Sequence, residues 1–95
     1  MSDVDVQHRE SSNRFVARTE SGLAYISYER RDDGTIEFQH TVVPEADRGR
    51  GVGNALVRTA IAWARGEGAT IVPTCPFVQA WLEQHPDQRD VLGLG

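Results

Sequence analysis

The first thirteen residues are mostly polar, and only Val4 and Val6 alternate with their neighbours, hinting at a short first strand that the Glu10–Asn13 cluster would end. Phe15 and Ala17 then alternate with Val16 and Arg18, and Ser21-Gly22 supplies a turn. From Leu23 to Tyr28 two sets alternate, Leu23, Tyr25 and Ser27 against Ala24, Ile26 and Tyr28, which predicts a strand rich in aromatic and branched residues. Asp32-Asp33-Gly34 reads as a hairpin turn, since glycine tolerates the positive φ such turns require. The next strand is predicted from about Thr35 to Val43 and stops at Pro44, which has no N–H to give to a ladder. On that strand His40 falls in phase with Ile36, Phe38 and Val42, its apolar face.

Beyond Pro44 the period changes. Leu56, Val57, Ala60, Ile61, Trp63 and Ala64 recur at helical spacing, with Asn54, Arg58 and Arg65 on the other side, and Gly66 and Gly68 end that helix. Ala69 to Val72 reads as a short buried strand. Phe77, Val78, Trp81 and Leu82 make a second, shorter helix that stops before His85-Pro86. Strands Thr35–Val43 and Ala69–Val72, linked by a helix, are expected to be parallel by the right-handed crossover rule. The fold class is therefore α/β in the α+β sense: a mixed, mostly antiparallel sheet of about five strands, one parallel pair joined by a helix, and a short C-terminal helix. Residues 1–13 form a weakly patterned N-terminal segment, 14–92 a single domain and 93–95 a tail. A chain of 95 residues supports one modest core.

Charge narrows the partners. Fourteen Asp and Glu face ten basic residues, all arginine, for a formal charge of −4. Such a chain exerts no general pull on nucleic acid or an anionic membrane, so any polyanionic ligand must be held locally. One cysteine excludes an intramolecular disulfide, and no Cys and His spacing suits a zinc site, so no metal is expected. With no basic-then-apolar leader and no long apolar run, the expected setting is the cytoplasm, as a monomer or weak homodimer.

The segment Arg48-Gly49-Arg50-Gly51-Val52-Gly53 is the most informative. Glycines at every second position, between a strand and an amphipathic helix, remove Cβ atoms so that successive N–H groups can close on a phosphate. The helix start adds unpaired donors and partial positive charge, and Arg48 and Arg50 can make charge-assisted bonds. The bland alternative is a turn that needs its glycines only for shape. The dinucleotide fingerprint has a different glycine spacing and a following acid, which Ala69 to Pro73 lacks; a P-loop needs a lysine, and the chain has none.

Arg48-x-x-Gly51-x-Gly53 resembles the signature of GNAT N-acetyltransferases in its usual place between strand and helix. The likeness extends to the small single-domain YjdJ-type branch through His40-Thr41-Val42-Val43-Pro44, through Pro73-Thr74-Cys75-Pro76-Phe77-Val78, and through His85-Pro86 at the end of the last helix. It covers about Phe15 to Leu92. The resemblance implies a compact GNAT-like fold with acetyl-coenzyme A or coenzyme A bound between two splayed parallel strands. It implies that amides of Arg48, Gly49, Arg50, Gly51, Val52, Gly53 and Asn54 hold the pyrophosphate and that the backbone of Thr41, Val42 and Val43 pairs with the pantetheine arm. The thioester would then lie between His40–Val42 and Thr74–Cys75.

Acetyl transfer to an amine needs a neutral amine, a donor for the developing oxyanion and a proton for the departing thiolate. Many full-length members of this superfamily use a strand glutamate and a helix tyrosine. Here Glu37 lies early on its strand, and the last helix offers Phe77 and Trp81 instead. Cys75 is the candidate for reassignment, as acetyl-carrying thiolate or as acid to the leaving group, against the alternative of a small buried apolar residue. His40 is the candidate base, against that of a hydrogen-bonded core histidine. His85 reads as a helix terminator, and Trp63 and Trp81 as core. Tyr25 and Tyr28 point to opposite faces of their strand, so at most one reaches the site.

Only Thr19 to Gly22 joins strands between which larger members carry two helices, so an open acceptor side is expected, suited to an exposed amine on a small molecule, a polyamine or a protein. The acceptor itself stays unidentified. The function expected is acetyl-coenzyme A-dependent N-acetyl transfer to a primary amine. A non-catalytic coenzyme A or acyl-coenzyme A binding module is the alternative, and a plain protein-interaction domain, in which the glycine loop is accidental, is the third.

Overall fold

Alternation of apolar side chains on four consecutive segments produces a meander, and one parallel strand completes it. The computed structural model describes residues 4–92; positions 1–3 and the tail 93–95 lie outside the described residues. Strands β1 (Val6–Arg9), β2 (Arg14–Thr19), β3 (Gly22–Arg30) and β4 (Ile36–Val42) pair antiparallel in order. Helix α1 (Val52–Gly66) then crosses to β5 (Ile71–Pro73), which pairs parallel with β4, and α2 (Pro76–Gln84) follows. Single 3-10 turns occupy Glu10–Ser12 and Glu45–Asp47, and a longer 3-10 segment covers Pro86–Leu92.

One apolar cluster holds these parts together. Phe15 and Ala17 of β2, Ala24, Ile26 and Tyr28 of β3, Ile36 and Phe38 of β4 and Ile71 of β5 meet Leu56, Val57, Ala60, Ile61 and Ala64 of α1. Val78, Trp81 and Leu82 of α2 close the far end. The crossover is therefore driven by burial of a single helical stripe, which ends where Gly68 turns left-handed at φ +69° and Ala69 N–H donates back to Ala64 O at 3.0 Å. Val16, buried yet outside that cluster, lies on the opposite face of the sheet.

Two features of β4 position everything that follows. Its ladder with β3 runs Ser27↔His40 and then Tyr28↔Phe38, so Gln39 is one residue too many and forms a bulge. This reverses the side-chain phase. His40 and Val42, expected on the apolar face with Ile36 and Phe38, are exposed, and Thr41 turns inward instead. In addition, the parallel pairing covers only Ile36↔Ile71, Glu37↔Val72 and Phe38↔Pro73, with one last bond from Cys75 N–H to Phe38 O at 3.0 Å. Past that point β4 and the chain leading to α2 separate.

Candidate functional site

The separation opens a groove of about 630 Å³. It is lined by the edge of β4 (Thr41, Val42, Val43), by Asp47, Arg48, Gly49 and Gly51 of the loop, by Gly53 and Asn54 of α1, and by Phe77 of α2. Eight of these ten belong to the sets that the sequence singles out for coenzyme binding; Asp47 and Phe77 do not. Of the ten residues expected there, two are absent from this lining: Arg50 lies outside it, and Val52 buries its side chain in the core and offers only its backbone.

The loop owes its shape to left-handed residues. Gly49 at φ +82° and Gly51 at φ +84° reverse the chain twice, a conformation that side chains with a Cβ adopt only at a cost. Two of the seven amides expected to face a phosphate are already used inside the loop: Arg48 N–H donates to Glu45 O at 3.2 Å and Arg50 N–H to Asp47 O at 3.3 Å. Among the described residues the N–H groups of Gly49, Gly51, Val52, Gly53 and Asn54 have no backbone acceptor, and no side chain caps α1. An uncapped 15-residue helix thus aims its unpaired donors and the positive end of its dipole at the groove. The Arg48 side chain folds across the loop, its Nε donating to Val43 O at 3.4 Å.

Three neighbours fix this geometry. Thr19 Oγ1 donates to the buried Asp47 carboxylate, tying the loop to the β2–β3 turn. The Trp81 indole N–H donates to Asn54 Oδ1 at 2.6 Å. Since indole nitrogen is a donor only, Asn54 must turn its oxygen to Trp81 and keep its amide N–H groups for the groove side. The third glycine has a reason that its spacing does not reveal. A Cβ on Gly53 would come within 2.6 Å of Phe77 Cζ, so the missing side chain makes room for a ring that is itself 43% exposed. Phe77 therefore forms a wall of the groove, whereas the helical spacing alone groups it with Val78, Trp81 and Leu82. Asp47 carries no comparable signal in the sequence.

The two candidate chemical residues lie on opposite faces of β4. Thr41 points inward, and its Oγ1 is 3.4 Å from Cys75 Sγ. Cys75 is 4% exposed, sits at the start of α2 and belongs to the apolar cluster rather than the groove lining. His40, opposite Ser27, faces outward, and no hydrogen bond joins it to Cys75 among the described residues. Glu37 is committed elsewhere. The Thr74 hydroxyl and then the Arg31 guanidinium, 3.0 Å away, hold its carboxyl below the usual carboxylate range. That stabilised carboxylate is a weak base.

His85 ends α2, its Nδ1 2.7 Å from Trp81 O and its ring stacked on the indole at 4.0 Å. Trp81 is buried as expected, while Trp63 is half-buried with Arg30 over its ring. Among the described residues no three His, Cys, Asp or Glu side chains gather as metal ligands would, and no helix is long and apolar enough to cross a membrane.

The fold recurs in known proteins. The family model for GCN5-related N-acetyl-transferases matches residues 14–91. Protein NATD1 of Xenopus tropicalis is 30% identical over 87 residues, spanning 90% of this chain and 80% of that protein. Protein NATD1 of Homo sapiens is 28% identical over 85 residues, or 87% and 75% of the two chains. A GCN5-like protein of Staphylococcus aureus, solved by NMR in solution, superposes with a TM-score of 0.73 at 30% identity, over 96% of this chain and 89% of its own.

Proposed function

Because the chain belongs to the GCN5-related N-acetyltransferase family, we propose that it moves an acetyl group from acetyl-coenzyme A to a primary amine. One observation carries this reading: a single groove joins an uncapped helix start to an unpaired strand edge. The donor set fits the coenzyme at both ends. The open amides of Gly49, Gly51, Val52, Gly53 and Asn54, with Arg48, suit a diphosphate. The β4 edge at Thr41, Val42 and Val43 suits the amide-bearing pantetheine arm, which can add to it as a strand adds to a sheet.

In the transfer the amine nitrogen bonds to the acetyl carbon and the carbon–sulfur bond breaks. The amine gives up one proton, and the departing thiolate takes one. His40, on the outward face of β4, receives the proton of the incoming amine. Cys75, across the strand with the Thr41 hydroxyl beside its sulfur, serves the other half: it protonates the thiolate or first carries the acetyl group as its own thioester. The acceptor is a small amine, a polyamine or an exposed protein amine, because β2 and β3 are joined only by Glu20-Ser21 and no helix stands over that side among the described residues.

The burial of Cys75 favours a second reading, a module that retains coenzyme A without turnover. Kinetics of Cys75→Ala on an amine acceptor, together with native mass spectrometry, separate the two. A covalent role predicts a loss in kcat on the order of a thousandfold with coenzyme affinity unchanged. A proton-donor role predicts about ten- to a hundredfold and no acetyl-protein in a quenched reaction. Retained coenzyme with no turnover on any amine supports the module, and a folded protein that retains no coenzyme at any concentration removes both readings.

A further inference from the structure

The bulge at Gln39 turns His40 and Val42 onto the sheet face opposite the apolar cluster, which no helix covers among the described residues. Val42 is 42% exposed and also lines the groove, so groove and open face meet at this strand. From Val42 the register carries an apolar row across the sheet, to Tyr25 on β3 and Val16 on β2.

Charge on that face is divided. Arg9, Arg14 and Arg18 stand around Val16, all exposed, and none forms an ion pair among the described residues. Placement separates them from the unmatched arginines elsewhere. Arg9 is directly opposite Arg14 in the β1–β2 ladder, where like charges destabilise a sheet and a bound anion would relieve them. Arg14 also lies over the Tyr25 ring at 4.2 Å and, through Ser27, in the same cross-strand row as His40. Of the acids on this face, Glu37 is matched by Arg31 and Glu29 accepts from Gln39, which leaves Asp5 alone on the arginine side.

We propose that this face docks the acceptor, and that the acceptor is an acidic polypeptide segment offering its N-terminal α-amine to His40. The inference rests on the reading above, in which His40 takes the proton of the incoming amine, and it narrows the acceptor class. His40 is exposed, so nothing there strips water from an ammonium. A lysine, with a pKa of about 10.4, stays charged in such a place, whereas a terminal α-amine at about 7.7–8.0 is neutral in roughly a tenth of molecules at pH 7. Its nitrogen bonds to the acetyl carbon as the carbon–sulfur bond breaks; the amine loses one proton and the thiolate gains one. From β4 to β2 and β1 is about 10–14 Å, or three to four extended residues, so acidic side chains a few places from the amine reach the arginines. A polyamine is repelled by the same three charges.

Steady-state acetylation of a short peptide with a free α-amine and aspartates at its third to fifth places tests the dock. Its kcat/KM should exceed that of the same peptide with asparagines there by about tenfold or more, mostly through KM, and the advantage should shrink as salt is raised. Arg9→Gln with Arg18→Gln, which leaves the Arg14–Tyr25 contact alone, should reduce the advantage to about threefold or less without lowering the melting temperature. Arg14→Glu with Arg18→Glu should turn it into a preference for a peptide with arginines at those places. Equal rates on the aspartate and asparagine peptides, or an advantage that the glutamine pair leaves untouched, overturn the dock while acetyl transfer stands. Faster turnover of spermidine, or of an α-blocked peptide with a single lysine, does the same. If the folded protein retains coenzyme A yet acetylates none of these, the transfer reading itself falls, and the dock with it.

Discussion

At the scale of single residues, the three glycines of the loop do two kinds of work, left-handed turning at Gly49 and Gly51 and close packing at Gly53, and substitution separates them. Gly51 holds φ +84° with open space where a Cβ would go, so its need is conformational. Gly51→Ala should cost about 1–2 kcal/mol of stability in denaturant unfolding. Gly53 is ordinary helix, and its need is the space that Phe77 fills. The obstructing atom is the far end of a half-exposed ring, so Gly53→Ala should leave stability within about 1 kcal/mol of the parent. The displaced ring would then occupy the groove, and coenzyme A affinity should fall by about tenfold or more in calorimetry. Equal stability losses in the two variants, with coenzyme affinity untouched by the second, would contradict this assignment. Sequence spacing put both glycines in the binding loop but could not tell φ from packing, because packing partners come from a helix more than twenty residues away. The same limit explains His40. A period-two count from Ile36 places it with the core, and only the bulge at Gln39, a property of the β3–β4 ladder, turns it outward.

At the scale of elements, β1 is an edge strand that pairs with β2 and packs Val6 and His8 against the domain. The His8 ring stacks on Phe15 at 4.0 Å, meets the edge of Trp63 and places Nε2 2.7 Å from the Tyr28 hydroxyl. Burial pushes the His8 pKa below its usual 6.5; Arg30 also lowers it, while Glu10 and Glu67 act the other way. A histidine whose folded-state pKa is depressed contributes stability that is fully present above the unfolded value and is lost as pH falls from there through the folded value. The melting temperature should therefore drop between about pH 7.5 and about pH 5.5, and the drop should be smaller in His8→Gln, which keeps an acceptor but does not titrate. An identical drop in both proteins would locate the pH sensitivity elsewhere. Val4 and Val6 gave only a hint of this strand, because its inward face continues from Val6 with a histidine rather than with a third apolar residue. The existence of the other strands and of both helices is legible from period, although the bulge at Gln39 breaks the apolar stripe of β4. Their ends are less so: α1 starts at Val52, ahead of the amphipathic pattern that begins near Asn54, because the left-handed Gly51 already launches the helix.

At the scale of the molecule, one helical layer on one sheet face leaves the other face and the β4 edge open, and a chain of this size has little stability to spare. Ligand binding should therefore change its stability visibly. In the proposed complex coenzyme A bridges α1, the loop and the β4 edge, parts that the apolar cluster links only through their far sides. At a free concentration a hundred times its dissociation constant, a ligand that binds only the folded chain adds about 2.7 kcal/mol. For a domain of this length that corresponds to a rise in melting temperature of roughly 10–20 °C, with the affinity taken at the transition. Calorimetric melting across a coenzyme A series should show the rise growing with the logarithm of concentration. Hydrogen exchange should slow at the Thr41 to Val43 amides and at the first turn of α1, with much smaller changes on β1. A melting temperature indifferent to coenzyme A up to millimolar levels would mean that the groove does not hold it. A rise without protection at the β4 edge would keep the coenzyme on the α1 amides and remove the added-strand mode of holding its arm.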